Sequence, residues 1–168
     1  NKKVIINEQY KTRDHTEIIL KSIGYNINTI KNKILLNPTN QIPENLNIDI
    51  PGDISSASFF IGAACMIPNS DLKIKNILMN DSRLGFIKIL KKMGAGIIVQ
   101  NEKNINGEKV GDIKVYYKPL YGININKKDI SSMIDELPIL AIVATQAEGL
   151  TIISGSEELR NKESDRIK

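Results

Sequence analysis

Thr12-Arg13-Asp14-His15-Thr16-Glu17-Ile18-Ile19-Leu20-Lys21-Ser22-Ile23-Gly24-Tyr25-Asn26-Ile27 aligns without gaps on Ser82-Arg83-Leu84-Gly85-Phe86-Ile87-Lys88-Ile89-Leu90-Lys91-Lys92-Met93-Gly94-Ala95-Gly96-Ile97. Arg, Ile, Leu, Lys, Gly and Ile coincide in the two copies. Each copy offers a Ser/Thr cap, then apolar residues at helical spacing (Ile19, Leu20 and Ile23; Phe86, Ile89, Leu90 and Met93), then a glycine where the helix should end and a β-rich run. The pattern predicts one helix-to-strand unit used twice.

A second pair interleaves with the first. Asp53-Ile54-Ser55-Ser56 leads into an apolar run over 57–66, and Asp135-Glu136-Leu137-Pro138 leads into another over 139–147. Both are apolar nearly all round, which predicts buried helices, and Ser55 falls opposite Asp135. Pro138 is tolerated only in a first turn, so the second helix starts between Ile134 and Leu137, with Asp135 at or beside its N-terminus. Strands are expected over 47–50, 72–77, 96–100, 112–117 and 150–154. The order from residue 50 is helix, strand, helix, strand, strand, helix, strand, an α/β arrangement repeating every ~70 to 80 residues. Because the chain starts and stops within such units, and residues 158–168 are cap-and-helix material without a helix, it is expected to be an internal piece, truncated at both ends.

Of the 168 residues, 41% are hydrophobic and 25% charged, a globular composition. The longest apolar stretches, such as 137–144, fall well short of the roughly 20 residues a membrane span needs, and no basic-then-apolar segment opens the sequence. A soluble cytoplasmic protein is expected, without membrane partners. The net charge of +4 suits an anion binder, but the lysines are scattered among Asn and Ile, and aromatics are only 5%. Base-stacking platforms and nucleic-acid partners are therefore not expected. Cys65, the one cysteine, lies among Ile61, Ala63, Ala64 and Met66 and reads as a small buried apolar residue. His15 reads as a surface or capping histidine.

The strongest motif is Leu159-Arg160-Asn161-Lys162-Glu163-Ser164-Asp165-Arg166-Ile167. It resembles the signature Arg-x-Lys-Glu-(Ser/Thr)-Asp-Arg-(Ile/Leu) of the 5-enolpyruvylshikimate-3-phosphate synthase family. Three further stretches agree in order and spacing: Thr12-Arg13-Asp14-His15-Thr16-Glu17, Gly52-Asp53-Ile54-Ser55-Ser56-Ala57-Ser58-Phe59-Phe60 and Ile134-Asp135-Glu136-Leu137-Pro138. The resemblance covers essentially the whole chain. It departs at Asn161, where Val is usual, and at Thr12, where Ser is usual.

The resemblance implies an enolpyruvyl transferase fold, an inside-out α/β barrel of repeated βαβαββ units, present here in part. It assigns residues 1–49 to the end of one lobe and 50–168 to most of the second, truncated at its C-terminus. The implied substrates are shikimate 3-phosphate and phosphoenolpyruvate, with no cofactor, no metal and a monomeric state. The implied chemistry adds a sugar hydroxyl to the central carbon of phosphoenolpyruvate, protonates its methylene carbon and expels phosphate, which needs a base, an acid and cations. By family correspondence Asp135 is the base and contacts shikimate 3-phosphate, as does Lys162, and Thr12 is a further substrate-binding residue. Arg166 grips phosphoenolpyruvate, and Glu163 is the proton donor or relay. From the residues alone Asp135 reads first as a helix cap worth about 1 kcal/mol, Asp165 as a partner of a nearby Arg, and Ser55 and Ser56 as caps whose N–H groups stay available to an anion. UDP-N-acetylglucosamine enolpyruvyl transferase shares the fold and reaction type but lacks the Lys-Glu-Ser-Asp-Arg run; a non-catalytic scaffold of the same fold is the other alternative. The chain by itself is expected to be inactive.

Overall fold

The structure, a computed structural model, describes residues 2–9, 12–40 and 47–168. Two compact units are present: residues up to Ile50 together with Lys103–Lys109, and Pro51–Glu102 together with Val110–Lys168.

The first unit contains β1 (Val4–Asn7), α1 (His15–Ser22), β2 (Ile27–Ile30) and β3 (Lys33–Leu36). The strands form an antiparallel sheet in the order β1-β3-β2, with Ile27 and Ile34 buried.

The second unit runs α2 (Ile54–Met66), β4 (Asp71–Leu78), α3 (Gly85–Lys92), β5 (Gly96–Ile105) and β6 (Glu108–Tyr116), whose adjoining ends over Lys103–Lys109 belong to the first unit, then β7 (Asn124–Ile125), α4 (Lys127–Ile130), α5 (Leu137–Ala144) and β8 (Ile152–Ile153). The central sheet has the order β4-β6-β5, and β4 pairs antiparallel with β6. A parallel pair, β7 and β8, brackets α4 and α5, and a parallel bridge from Gly52 to Ile77 brackets α2. Helix α2 packs on both β4 and α5. A Cβ on Gly62 would meet Ile139 and Val143 methyls at 3.1 and 3.2 Å, so the absence of a side chain there lets the two helices approach. Ile54, Ile61, Phe86, Leu90, Ile113 and Leu140 fill the core between these layers.

The repeat that opens the sequence is a repeat of backbone geometry. Helices α1 and α3 start and stop at aligned positions. Gly24 and Gly94 follow them at φ of 91° and 100°. In the first copy Tyr25 N–H donates to Leu20 and Gly24 N–H to Lys21; in the second Ala95 donates to Leu90 and Gly94 to Lys91. These are two copies of the Schellman arrangement, in which a left-handed residue lets the chain turn back onto the last helical carbonyls.

Several expectations are corrected. Thr12 and Ser82 are not caps, because both helices begin three residues later and neither hydroxyl is placed to reach the first free amides. Thr12 donates instead to Glu8, at 2.7 Å, and Ser82 to Asn80 in a 3₁₀ turn over Asp81–Arg83. Residues 47–50 form no strand; pairing begins beyond Pro51, which has no N–H for a ladder, where Gly52 donates to Asn76 at 2.7 Å. The last strand contracts to β8. Residues Glu157–Asn161 form a 3₁₀ turn rather than a helix start. Within this chain Phe59 and Phe60 of α2 are 66% exposed and Ile142 of α5 59%.

Candidate active site

Asp135 sits in a 3₁₀ turn, Ile134–Glu136, that runs directly into α5, with Pro138 in the helix's first turn as the sequence requires. On the opposite side, Leu159 is buried and its carbonyl accepts from the Arg166 backbone N–H at 3.2 Å. That closes residues 159–166 into a turn, and Asp165 stiffens it by accepting from Ile167 N–H at 3.0 Å and pairing with Arg160 at 2.8 Å. Asp165 is thus the structural partner of a nearby Arg, and first the Ile167 N–H and then Arg160 hold its carboxyl below the usual range.

The closed turn aims two cations at one carboxylate oxygen. Arg166 Nη1 lies 3.3 Å and Lys162 Nζ 3.6 Å from Asp135 Oδ1. The other arm of Arg166 reaches Glu163 at 2.9 Å. Asp135, Lys162 and Arg166 are about a quarter to a third exposed, whereas Glu163 is 81% exposed. The Glu163 carboxyl is held below its ordinary range, first by its own backbone N–H and then by Arg166. Two carboxylates and two cations leave the group neutral, so an arriving anion must take a cation from a carboxylate.

Thr12, in the first unit, is exposed and bonded to Glu8. His15, also there, is neither a cap nor free on the surface: its Nδ1 lies 2.5 Å from Glu108, and its Nε2 is buried without a hydrogen-bond partner. Cys65 is buried, and burial pushes its thiol up to about 11, far from a nucleophile's range.

Sequence reasoning overlooked a second polar group beside the first. The Ser55 hydroxyl donates to Glu136, the neighbour of Asp135. Glu136 is only 4% exposed. Arg83 donates to Ser55 Oγ at 2.6 Å and to Asp53 at 2.9 Å. Asp53 in turn caps α2 by accepting from Ser56 N–H at 2.8 Å. Partial burial works against the Asp53 carboxylate, but the Ser56 backbone and hydroxyl and the Arg83 charge prevail and lower its pKa. The signal was available: a Glu set among Ile134, Leu137 and Leu140 must be buried, and a buried carboxylate requires partners.

The family described as EPSP synthase (3-phosphoshikimate 1-carboxyvinyltransferase) matches over residues 1–168. A 3-phosphoshikimate 1-carboxyvinyltransferase from Thermodesulfovibrio yellowstonii is 48% identical over 97% of this chain and 38% of that protein. An EPSP synthase structure from Acinetobacter baumannii superposes with a TM-score of 0.94 at 40% identity, covering 99% of this chain and 38% of that one. The enolpyruvyl transferase NikO from Streptomyces tendae shares the fold at 18% identity and a TM-score of 0.63, over 91% of this chain and 35% of its own. The chain thus spans about 38% of the length of these two synthase relatives.

Proposed function

Because the chain belongs to the EPSP synthase family, we propose that it carries part of the active site of an enzyme that transfers the enolpyruvyl group of phosphoenolpyruvate to the 5-hydroxyl of shikimate 3-phosphate. The observation that carries this reading is the convergence of Lys162 and Arg166 on Asp135 at the start of α5.

In the proposed reaction Asp135 takes the proton of the 5-hydroxyl as its oxygen bonds to the central carbon of phosphoenolpyruvate, and Glu163 delivers a proton to the methylene carbon. The tetrahedral adduct then loses phosphate, and removal of a methyl proton restores the double bond. Arg166 binds phosphoenolpyruvate by charge-assisted hydrogen bonds, and Lys162 binds shikimate 3-phosphate. An anion that captures Arg166 or Lys162 uncovers Asp135, so substrate arrival itself frees the base. Thr12 is proposed as a further substrate contact.

We assign residues 1–49 to one lobe and 50–168 to the other. The division of the chain after Ile50 supports this, with Lys103–Lys109 grouping with the first unit. The relatives' names do not favour the UDP-N-acetylglucosamine alternative. Among the described residues no helix is long and apolar enough to cross a membrane.

The test is phosphate release from shikimate 3-phosphate and phosphoenolpyruvate by a complete enzyme carrying this sequence, with UDP-N-acetylglucosamine as the competing acceptor. Asp135→Asn should lower turnover roughly 10² to 10⁴-fold with binding largely kept, since it removes the base and preserves shape. A variant within about threefold of the parent would overturn the assignment.

A further inference from the structure

We infer that Glu136 is the positioning residue for Asp135, fixing the direction of the base through Ser55, Arg83 and Asp53. The inference rests on the proposed role of Asp135 and adds to it the device that aims the side chain.

Asp135 and Glu136 are successive residues of one 3₁₀ turn. At three residues per turn their side chains leave the axis about 120° apart. One points to Lys162 and Arg166, the other into the core. Whatever fixes the azimuth of Glu136 therefore fixes that of Asp135.

What fixes Glu136 is a continuous polar chain. Its carboxylate accepts from the Ser55 hydroxyl. The same hydroxyl accepts from Arg83 Nη2 at 2.6 Å, and that nitrogen also reaches Asp53 Oδ1 at 2.9 Å. Asp53 is tied to the first turn of α2 through Ser56 N–H and Oγ at 2.8 and 2.9 Å. Arg83 is itself anchored, because its backbone N–H donates to Asn80 at 2.9 Å. The turn that carries Asp135 is thereby bonded to the capped start of α2, the helix against which α5 packs.

A leucine at position 136 would fill much the same buried volume, at the cost of leaving the Ser55 hydroxyl without its acceptor. What leucine lacks is direction. A hydrogen-bonded carboxylate specifies one rotation of the turn, whereas an apolar contact tolerates several, and a base misplaced by about 1 Å costs on the order of 10² in rate.

The experiment compares Glu136→Leu, Glu136→Gln, Ser55→Ala and Asp135→Asn in a complete enzyme, reading kcat and both KM values per folded molecule. Glu136→Leu and Ser55→Ala should each lower kcat roughly 10 to 10²-fold, with KM values within about threefold of the parent. Glu136→Gln keeps an oxygen to accept from Ser55 and should restore most of kcat. If Asp135→Asn abolishes turnover while Glu136→Leu and Ser55→Ala both keep kcat, the positioning role is overturned and the base assignment stands. If Asp135→Asn remains active, the base assignment fails and the inference falls with it. If Glu136→Gln loses as much as Glu136→Leu, the hydrogen-bonded tie is refuted. Should Glu136→Leu not fold, Ser55→Ala decides alone.

Discussion

The Lys162 ammonium lies 3.6 Å from Asp135 Oδ1, within ion-pair range but too long for a good hydrogen bond. Arg166 approaches the same oxygen at 3.3 Å, also long for a charge-assisted contact. The supporting chain behind the turn is tighter, at 2.6 and 2.9 Å from Arg83 to Ser55 and Asp53. The two cation contacts to Asp135 Oδ1 are thus longer than those of the scaffolding, while Arg166 is held to Glu163 at 2.9 Å. Long contacts to solvent-accessible partners are cheap to exchange, which the proposed transfer of cations from carboxylate to substrate would use.

Arg166→Lys should weaken phosphoenolpyruvate binding by about tenfold or more, because Lys keeps the charge and loses the planar fork. In the structure that fork spans two acceptors, Asp135 through Nη1 and Glu163 through Nη2, which a single ammonium cannot reproduce with the same geometry. A direct binding titration decides; unchanged affinity would assign Arg166 to structure.

The sequence disclosed the α/β order and the repeat because those features are local. The apolar spacing of Ile89, Leu90 and Met93 and the glycine at 94 are each set by near neighbours, and α3 with its Schellman turn follows. The Lys-Glu-Ser-Asp-Arg run marked Lys162 and Arg166 through its resemblance to the family signature. What stayed hidden was pairing across distance. That Ser55 would meet Glu136 depends on the rotation of a 3₁₀ turn, which no periodicity encodes. Likewise, His15 found Glu108 through tertiary approach alone. Strand β7 and helix α4, with two and four residues, are too short to show a period.

Asp112→Asn should flatten the acid side of the stability profile. Asp112 accepts from the Asn101 amide at 2.9 Å and from Asn76 N–H at 3.1 Å, and pairs with Lys73 at 3.2 Å. These partners, the Asn101 amide foremost, hold its carboxyl at about 2. An unfolded Asp titrates near ~3.9. As pH falls from about 4 to 2 the unfolded chain takes up a proton that the folded one refuses, so stability present above pH ~4 is lost across that window. Thermal midpoints measured in steps down to pH ~2 should decline less steeply in the variant over that window; parallel slopes would show that Asp112 is not the titrating group.

Gly94→Ala should destabilise the protein by roughly 1–2 kcal/mol, the cost of placing an L-residue in the left-handed region. Gly94 has φ of 100°, and an added Cβ would also stand 3.2 Å from the Pro119 carbonyl oxygen. Denaturant melts at equal m-value measure the effect. A loss under about 0.5 kcal/mol would mean that the turn relaxes to a conformation alanine accepts.

Glu163→Gln tests the proposed proton donor, and the structure sets a condition on that role. An acid must hold a proton at working pH, yet the Glu163 carboxyl lies below its ordinary range because its own N–H and Arg166 favour the anion. It is ionised at neutral pH in the arrangement described here. Phosphoenolpyruvate that takes Arg166 away removes one of these two causes, and the substrate's negative charge beside the carboxylate then favours the protonated form. Glu163 should therefore titrate low in the free enzyme and higher in the loaded one. The signature is a kcat that falls at high pH with an apparent pKa above that of an ordinary carboxyl. Gln cannot titrate, so the variant should lose that limb and about 10² to 10⁴-fold of turnover. A variant that keeps the limb would exclude Glu163 as donor, and one with turnover within about threefold of the parent would leave it only the task of orienting Arg166.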